Sequence, residues 1–142
     1  MKENERLDEF FTYLRLLSRK ITKLRTNAVK DVHLKTIHVE CLFYLIYKGS
    51  LSSSQLVRYT LEDKAAISKA IKDLKEQNYV SYGNKYNEKI SLTEKGTILA
   101  KRIEEKSAEI LLTARRDISD EDAGILLSVL KKIYCNLEEA ED

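Results

Sequence analysis

The sequence predicts a mainly α-helical fold with a small β-hairpin wing: a winged helix-turn-helix flanked by N- and C-terminal helices that form a dimerisation region. Three observations carry that prediction. Behind Asp63, a good N-cap, the residues Ile67, Ala70, Ile71 and Leu74 repeat at the i, i+3, i+4, i+7 spacing of one helical face. Immediately upstream, Ser52 with Gln55 three residues later is a capping-box pattern that opens a shorter helix. Downstream, Tyr79–Tyr82 and Glu88–Leu92 flank Gly83-Asn84 and read as a two-stranded hairpin with its tip at 83–87.

In chain order, residues 5–25 place Leu7, Phe10, Phe11, Leu14, Leu17, Ile21 and Leu24 on one stripe of a helix of about six turns. A helix this long at a chain end needs a partner for its stripe. Its reverse face carries Arg15, Arg19, Lys20, Lys23 and Arg25. A second helix over 36–47 is apolar nearly all round and is expected at the centre of the core, with Gly49 as a left-handed cap. Ser52 opens a third helix through Tyr59, and Asp63 a fourth that Asn78 closes. Thr93 caps a fifth from 94 to about 116, striped by Ile98, Leu99, Ile103, Ile110 and Leu111. Ser119 starts the last, striped by Ala123, Leu126, Leu127, Leu130, Ile133, Tyr134 and Leu137. The expected organisation is a single domain over 1–142, with a winged lobe at 33–93 and a dimerisation region made of 1–32 and 94–142.

Charge is segregated rather than large. With a net charge of +2, any nucleic-acid surface has to be a local positive patch. The span 64–75 supplies one, in Lys64, Lys69, Lys72 and Lys75 against Asp73 alone, while Glu138, Glu139, Glu141 and Asp142 collect at the C-terminus. The charged N-terminus does not read as a signal peptide, and no apolar run is long enough to span a bilayer. A soluble, cytoplasmic protein without a membrane partner is expected. Cys41 and Cys135 both sit in apolar helical contexts, where buried free thiols are expected.

With its aliphatic residues inward, the fourth helix turns Lys64, Ala65, Ser68, Lys69 and Lys72 outward. The major groove admits one helix whose contact side chains are small. Ala65 and Ser68 allow that approach, and the lysines reach phosphates or guanine acceptors. Ser52, Ser53 and Ser54 offer hydroxyls and N–H groups to phosphate at the start of the third helix. Lys85, Tyr86 and Lys89 on the hairpin are expected to straddle the adjacent minor groove. Lysines on an outer helix face are ordinarily a solvated surface. Their coincidence with two capped helices and a basic hairpin is what points to double-stranded DNA. No glycine-rich phosphate loop, Gly-x-Ser-x-Gly elbow or His-Glu-x-x-His motif occurs, so neither an enzyme nor a cofactor is expected.

The stretch SSSQLVRYTLEDKAAISKAIKDLKEQNYV, followed by ISLTEKG, resembles the core of the MarR family of bacterial transcription regulators, and the resemblance covers essentially the whole chain. It implies a homodimer with a triangular helical body and a small wing, and repression relieved by a small molecule, metal or oxidant. Three departures stand out. The wing has Asn84-Lys85-Tyr86 where the family usually carries an Asp-x-Arg pair, and lysine reads a narrow minor groove less well than arginine. The turn has Thr60-Leu61-Glu62 where glycine is common, leaving either a different turn backbone or Leu61 packed into the core. The fourth helix has no arginine, so backbone contacts are expected to dominate over bidentate guanine reading.

The resemblance also implies an effector crevice between the dimer helices and the DNA-binding lobe. Here it would be walled by the first helix near Tyr13 and Leu17, the second near His38, Cys41 and Tyr44, and the fifth. Tyr13, Tyr44 and Tyr47 suit a planar organic effector, the alternative being that they are core aromatics. His33, His38 and Cys41 are weak metal candidates, since only His38 and Cys41 share a helical face and no second ligand cluster follows. The family's peroxide sensors place their cysteine in the first helix, where this chain has none. The expected function is therefore a homodimeric, sequence-specific DNA-binding repressor released by a small-molecule effector. A winged-helix protein-interaction module, or a metal- or redox-responsive regulator of the same fold, are the alternatives.

Overall fold

Six helices and a minimal hairpin make up the computed structural model, which describes residues 2–141; Met1 and Asp142, the last of the C-terminal acids, lie outside the described residues. The order is α1 (Glu3–Asn27), a 3₁₀ turn (Lys30–Val32), α2 (Thr36–Lys48), α3 (Ser53–Thr60), α4 (Lys64–Glu76), β1 (Val80–Ser81), β2 (Ser91–Leu92), α5 (Glu94–Ala114) and α6 (Asp120–Ala140). Two compact units result, 1–108 and 109–142, and the division falls inside α5 rather than at 93/94.

In the first unit, α2 is the hub. Val39, Cys41 and Leu42 are completely buried and pack with Leu56 of α3, Ile67 and Leu74 of α4, and Ile103 of α5. The helices begin where side chains satisfy their first N–H groups. Ser52 Oγ accepts from Gln55 N–H, Asp63 Oδ1 from Ala66 N–H at 2.7 Å, and Thr93 Oγ1 from Gly96 N–H at 3.0 Å. Gly49 ends α2 at φ 87°, ψ −166°, so it is not a left-handed helical cap but lies in a region open essentially to glycine alone.

The hairpin is shorter than its sequence pattern. Val80 pairs with Leu92 and Ser81 with Ser91, and the ladder stops there. Between them the chain turns through a Glu88 N–H to Lys85 carbonyl bond, with Asn87 at φ 54°. A bridge from Leu51 to Ile90 adds a third strand position at the hairpin's base. Gly96 is required where α5 leaves the hairpin, because a Cβ there would collide with the Tyr79 carbonyl. That carbonyl already accepts the Thr93 N–H at 3.1 Å.

Leu61 resolves the question of the α3–α4 turn. It takes the left-handed conformation itself, at φ 60° and ψ 20°, and its side chain is 86% exposed rather than in the core. In the second unit, Ser119 Oγ caps α6 by accepting from Asp122 N–H at 3.1 Å. No residue of α6 is buried, and Leu126, Leu127, Tyr134 and Leu137 are each more than half exposed. Cys135 is exposed too, which corrects the expectation of two buried thiols.

Candidate nucleic-acid interface

The amphipathic spacing of α4 separates its two faces completely. Ile67, Ala70, Ile71 and Leu74 are buried, while Lys64, Ala65, Ser68, Lys69 and Lys72 are exposed. One charged side chain on this helix is held from behind. His38, 6% exposed on α2, lies with Nε2 3.2 Å from Asp73 Oδ2, while its Nδ1 accepts the Lys35 N–H at 3.2 Å. Lys75 is likewise committed, donating to the Tyr82 carbonyl at 2.9 Å with its ammonium 4.0 Å from the Tyr82 ring centroid. Lys95 does the same at the other side of the hairpin, donating to the Gln77 carbonyl at 2.8 Å.

The three serines of α3 part company. Ser52 is buried, and its hydroxyl and N–H serve the capping box with Gln55, so it does not face a phosphate. Ser54 is exposed, but its Oγ–H and N–H both point to Asn87 Oδ1, at 3.0 and 3.4 Å. Ser53 is half-buried beside the wing. On the wing, Lys85, Tyr86 and Lys89 are all exposed, Tyr86 to 90%. Asn87 was missed by sequence reasoning, and Lys75 was read only as a cation of the positive patch, because their partners lie across tertiary gaps that no local spacing records.

The course of these elements matches solved structures along nearly their full length. A MarR family transcriptional regulator from Silicibacter pomeroyi superposes with a TM-score of 0.79 at 19% identity, over 92% of this chain and 91% of that one. A MarR family regulator from Neisseria meningitidis gives 0.78 at 19% identity, over 95% of each chain. The chain has the MarR fold. BpsR of Bordetella bronchiseptica, whose DNA binding is regulated by 6-hydroxynicotinic acid, shares it with a TM-score of 0.66 at 17% identity, over 87% of this chain and 91% of that one. No family model matches the sequence, and no curated protein is similar to it in sequence.

Within the first unit of this MarR fold, a cleft of about 920 Å³ opens between α1, α2 and the α3–α4 turn. Leu17 and Tyr44 line it, with Tyr59 and Leu61. Tyr13, His38 and Cys41 do not, correcting three of the residues expected there. Tyr13 is more than half exposed, His38 is turned to α4, and Cys41 is sealed in the core. Burial pushes the Cys41 thiol up to about 12, which leaves it protonated and unreactive. Tyr44, partly buried and stacked on Tyr59, also has its phenol raised by burial. At the cleft, Arg25 Nη1 donates to both oxygens of Glu40 at 2.9 and 2.8 Å, with each side chain 12% exposed. Its Nε donates to Ser107 Oγ at 3.0 Å, and its guanidinium lies 3.9 Å from the Phe43 ring centroid. Placed by the sequence on the reverse face of the first helix, Arg25 ties α1, α2 and α5 together.

His33, His38 and Cys41 are not brought together, and both ring nitrogens of His38 are already engaged. Among the described residues no group of three or more His, Cys, Asp or Glu could hold a metal ion. Nor, among them, is any helix long and apolar enough to cross a membrane.

Proposed function

We propose that this chain is a sequence-specific DNA-binding transcription regulator of the MarR family, working as a homodimeric repressor. The observation that carries the reading is the face of α4: two small side chains at Ala65 and Ser68 framed by Lys64, Lys69 and Lys72, all exposed, over a fully buried aliphatic face. A helix so built offers a groove close approach with cations at its flanks. The homodimer is supported by α6, which buries nothing and exposes an aliphatic stripe that a second copy would cover. An effector role for the cleft is supported by its size, within the usual range of small-molecule sites, and by ligand-regulated DNA binding in BpsR.

The test is duplex binding at several salt concentrations, using fragments enriched from genomic DNA by the wild-type chain. Lys69→Ala and Lys72→Ala should each weaken binding and lower the salt slope by about one unit. Variants that bind as wild type at every salt concentration would refute the assignment of α4. One observation favours a second reading as a protein-interaction module: residues 64–89, spanning α4 and the wing, contain no arginine. Such a module would elute from duplex-DNA resin at the low salt suited to a net charge of +2.

A further inference from the structure

The wing stands off α4 across a hollow of about 230 Å³, bordered by Ser53, Ser68 and Ile71 on one side and Tyr82, Lys85 and Asn87 on the other. Two paired residues per strand and the Leu51–Ile90 bridge do not fix the position of residues 82–89 between them. Side-chain packing holds only the ends of this segment: Ile90 is buried and Tyr82 packs against the core, while residues 83–89 are all exposed. Two polar struts span the hollow instead. Lys75 holds the wing's root through the Tyr82 carbonyl and ring. Asn87 holds its tip, one carboxamide oxygen accepting from both the Oγ–H and the N–H of Ser54 in the first turn of α3. Asn87 sits at φ 54°, a conformation that asparagine tolerates better than most residues, and it is next in sequence to Tyr86 at the apex.

We infer that Asn87 is the positioning residue of the wing: its bonds to Ser54 set the spacing between Tyr86 and α4, and so decide whether both engage one duplex together. The inference rests on the proposed function and gives Ser54 a different task from a phosphate contact. Its N–H and hydroxyl, the groups that a helix start would turn to an anion, already serve the wing. Tyr86, 90% exposed, is then delivered as a preordered aromatic tip in a wing that has no arginine. Ordering it before binding removes an entropy cost from association.

The test uses the full-length chain and two readouts. The first is the backbone order of Lys85 and Tyr86 amides in free protein by ¹⁵N relaxation. Asn87→Ala and Ser54→Ala should each lower the order parameters from about 0.85 towards 0.6 or below. Asn87→Asp, which keeps an acceptor at the same place, should restore them. The second is affinity for a duplex enriched from a random-sequence pool by the wild-type chain. Each alanine variant should lose about five- to tenfold, the double variant no more than either single, and binding to unselected duplex should stay unchanged. Thermal unfolding of each variant within a few degrees of wild type shows that the exposed strut, rather than the fold, was removed. Additive losses, or lowered wing order with unchanged affinity, overturn the inference and leave the proposed function standing. A wild-type chain that enriches no duplex overturns both.

Discussion

His38 Nε2 and Asp73 Oδ2 lie 3.2 Å apart, joining the capped start of α2 to the C-terminal part of α4 through one buried imidazole. Because Nδ1 accepts the Lys35 N–H, the neutral ring carries its proton on Nε2 and donates it to Asp73. His38→Ala removes both bonds and leaves a void, and should cost about 2–4 kcal/mol in urea unfolding. His38→Gln, which keeps a polar group, should recover part of that. A loss below about 0.5 kcal/mol would show that the two helices do not depend on this contact.

Glu40→Ala should be among the most damaging changes on α2. It strands the Arg25 guanidinium at 12% exposure, and breaking such a pair typically costs about 3 kcal/mol. Replacing both partners, Arg25→Met with Glu40→Leu, should regain most of the loss, because the cost lies in the uncompensated charge. Chemical denaturation of the single and double variants separates these outcomes.

At Gly96 the usual sign of a glycine substitution reverses. Glycine to alanine within a helix ordinarily stabilises by up to about 1 kcal/mol. Here the added methyl meets the Tyr79 backbone oxygen, so Gly96→Ala should destabilise by about 2–4 kcal/mol and lower the melting temperature.

The pair Asp31–Arg102 gives a pH signature. Hydrogen bonding from the Arg102 guanidinium holds the Asp31 carboxyl below its ordinary value of 3.8, and Arg102 also donates to the Ala28 carbonyl. A carboxylate depressed in the folded state contributes stability that is fully present above 3.8 and fades as pH falls through its folded value. The stability gap between wild type and Asp31→Asn should be constant from about pH 5 to 7 and close in more acid solution. Both side chains are substantially exposed, so the gap should also shrink with added salt.

Much of the fold was legible because its signals are local. Ser52, Asp63, Thr93 and Ser119 sit at helix starts where their spacing to the next N–H groups demanded, and the α4 repeat buried every aliphatic residue it marked. The rest depended on distance in sequence. Arg25 reads as one more cation on a basic helix face until Glu40 and Ser107, 82 residues away, are seen to meet it. Ser54 reads as a phosphate donor until Asn87 closes on it. The hairpin looked longer because alternating residues resemble a strand whether or not a partner backbone lies alongside. Leu61 defeated the expectation by combining a leucine with a backbone conformation that glycine favours.

Cys41 and Cys135 should behave oppositely. In a Cys135→Ser background, the thiol of Cys41, raised to about 12 by burial, should resist a disulfide reagent near pH 8 until the chain is unfolded. Rapid labelling of the native protein would show that the core opens locally far below its global stability.

That α6 fully buries none of its own side chains has a thermodynamic corollary for the proposed dimer. Its order becomes second-order in chain concentration, so the melting point is a property of the solution as much as of the molecule. Each tenfold dilution should weaken the assembled state by about 1.4 kcal/mol. A cell could therefore disarm this protein by making less of it, without any ligand at all.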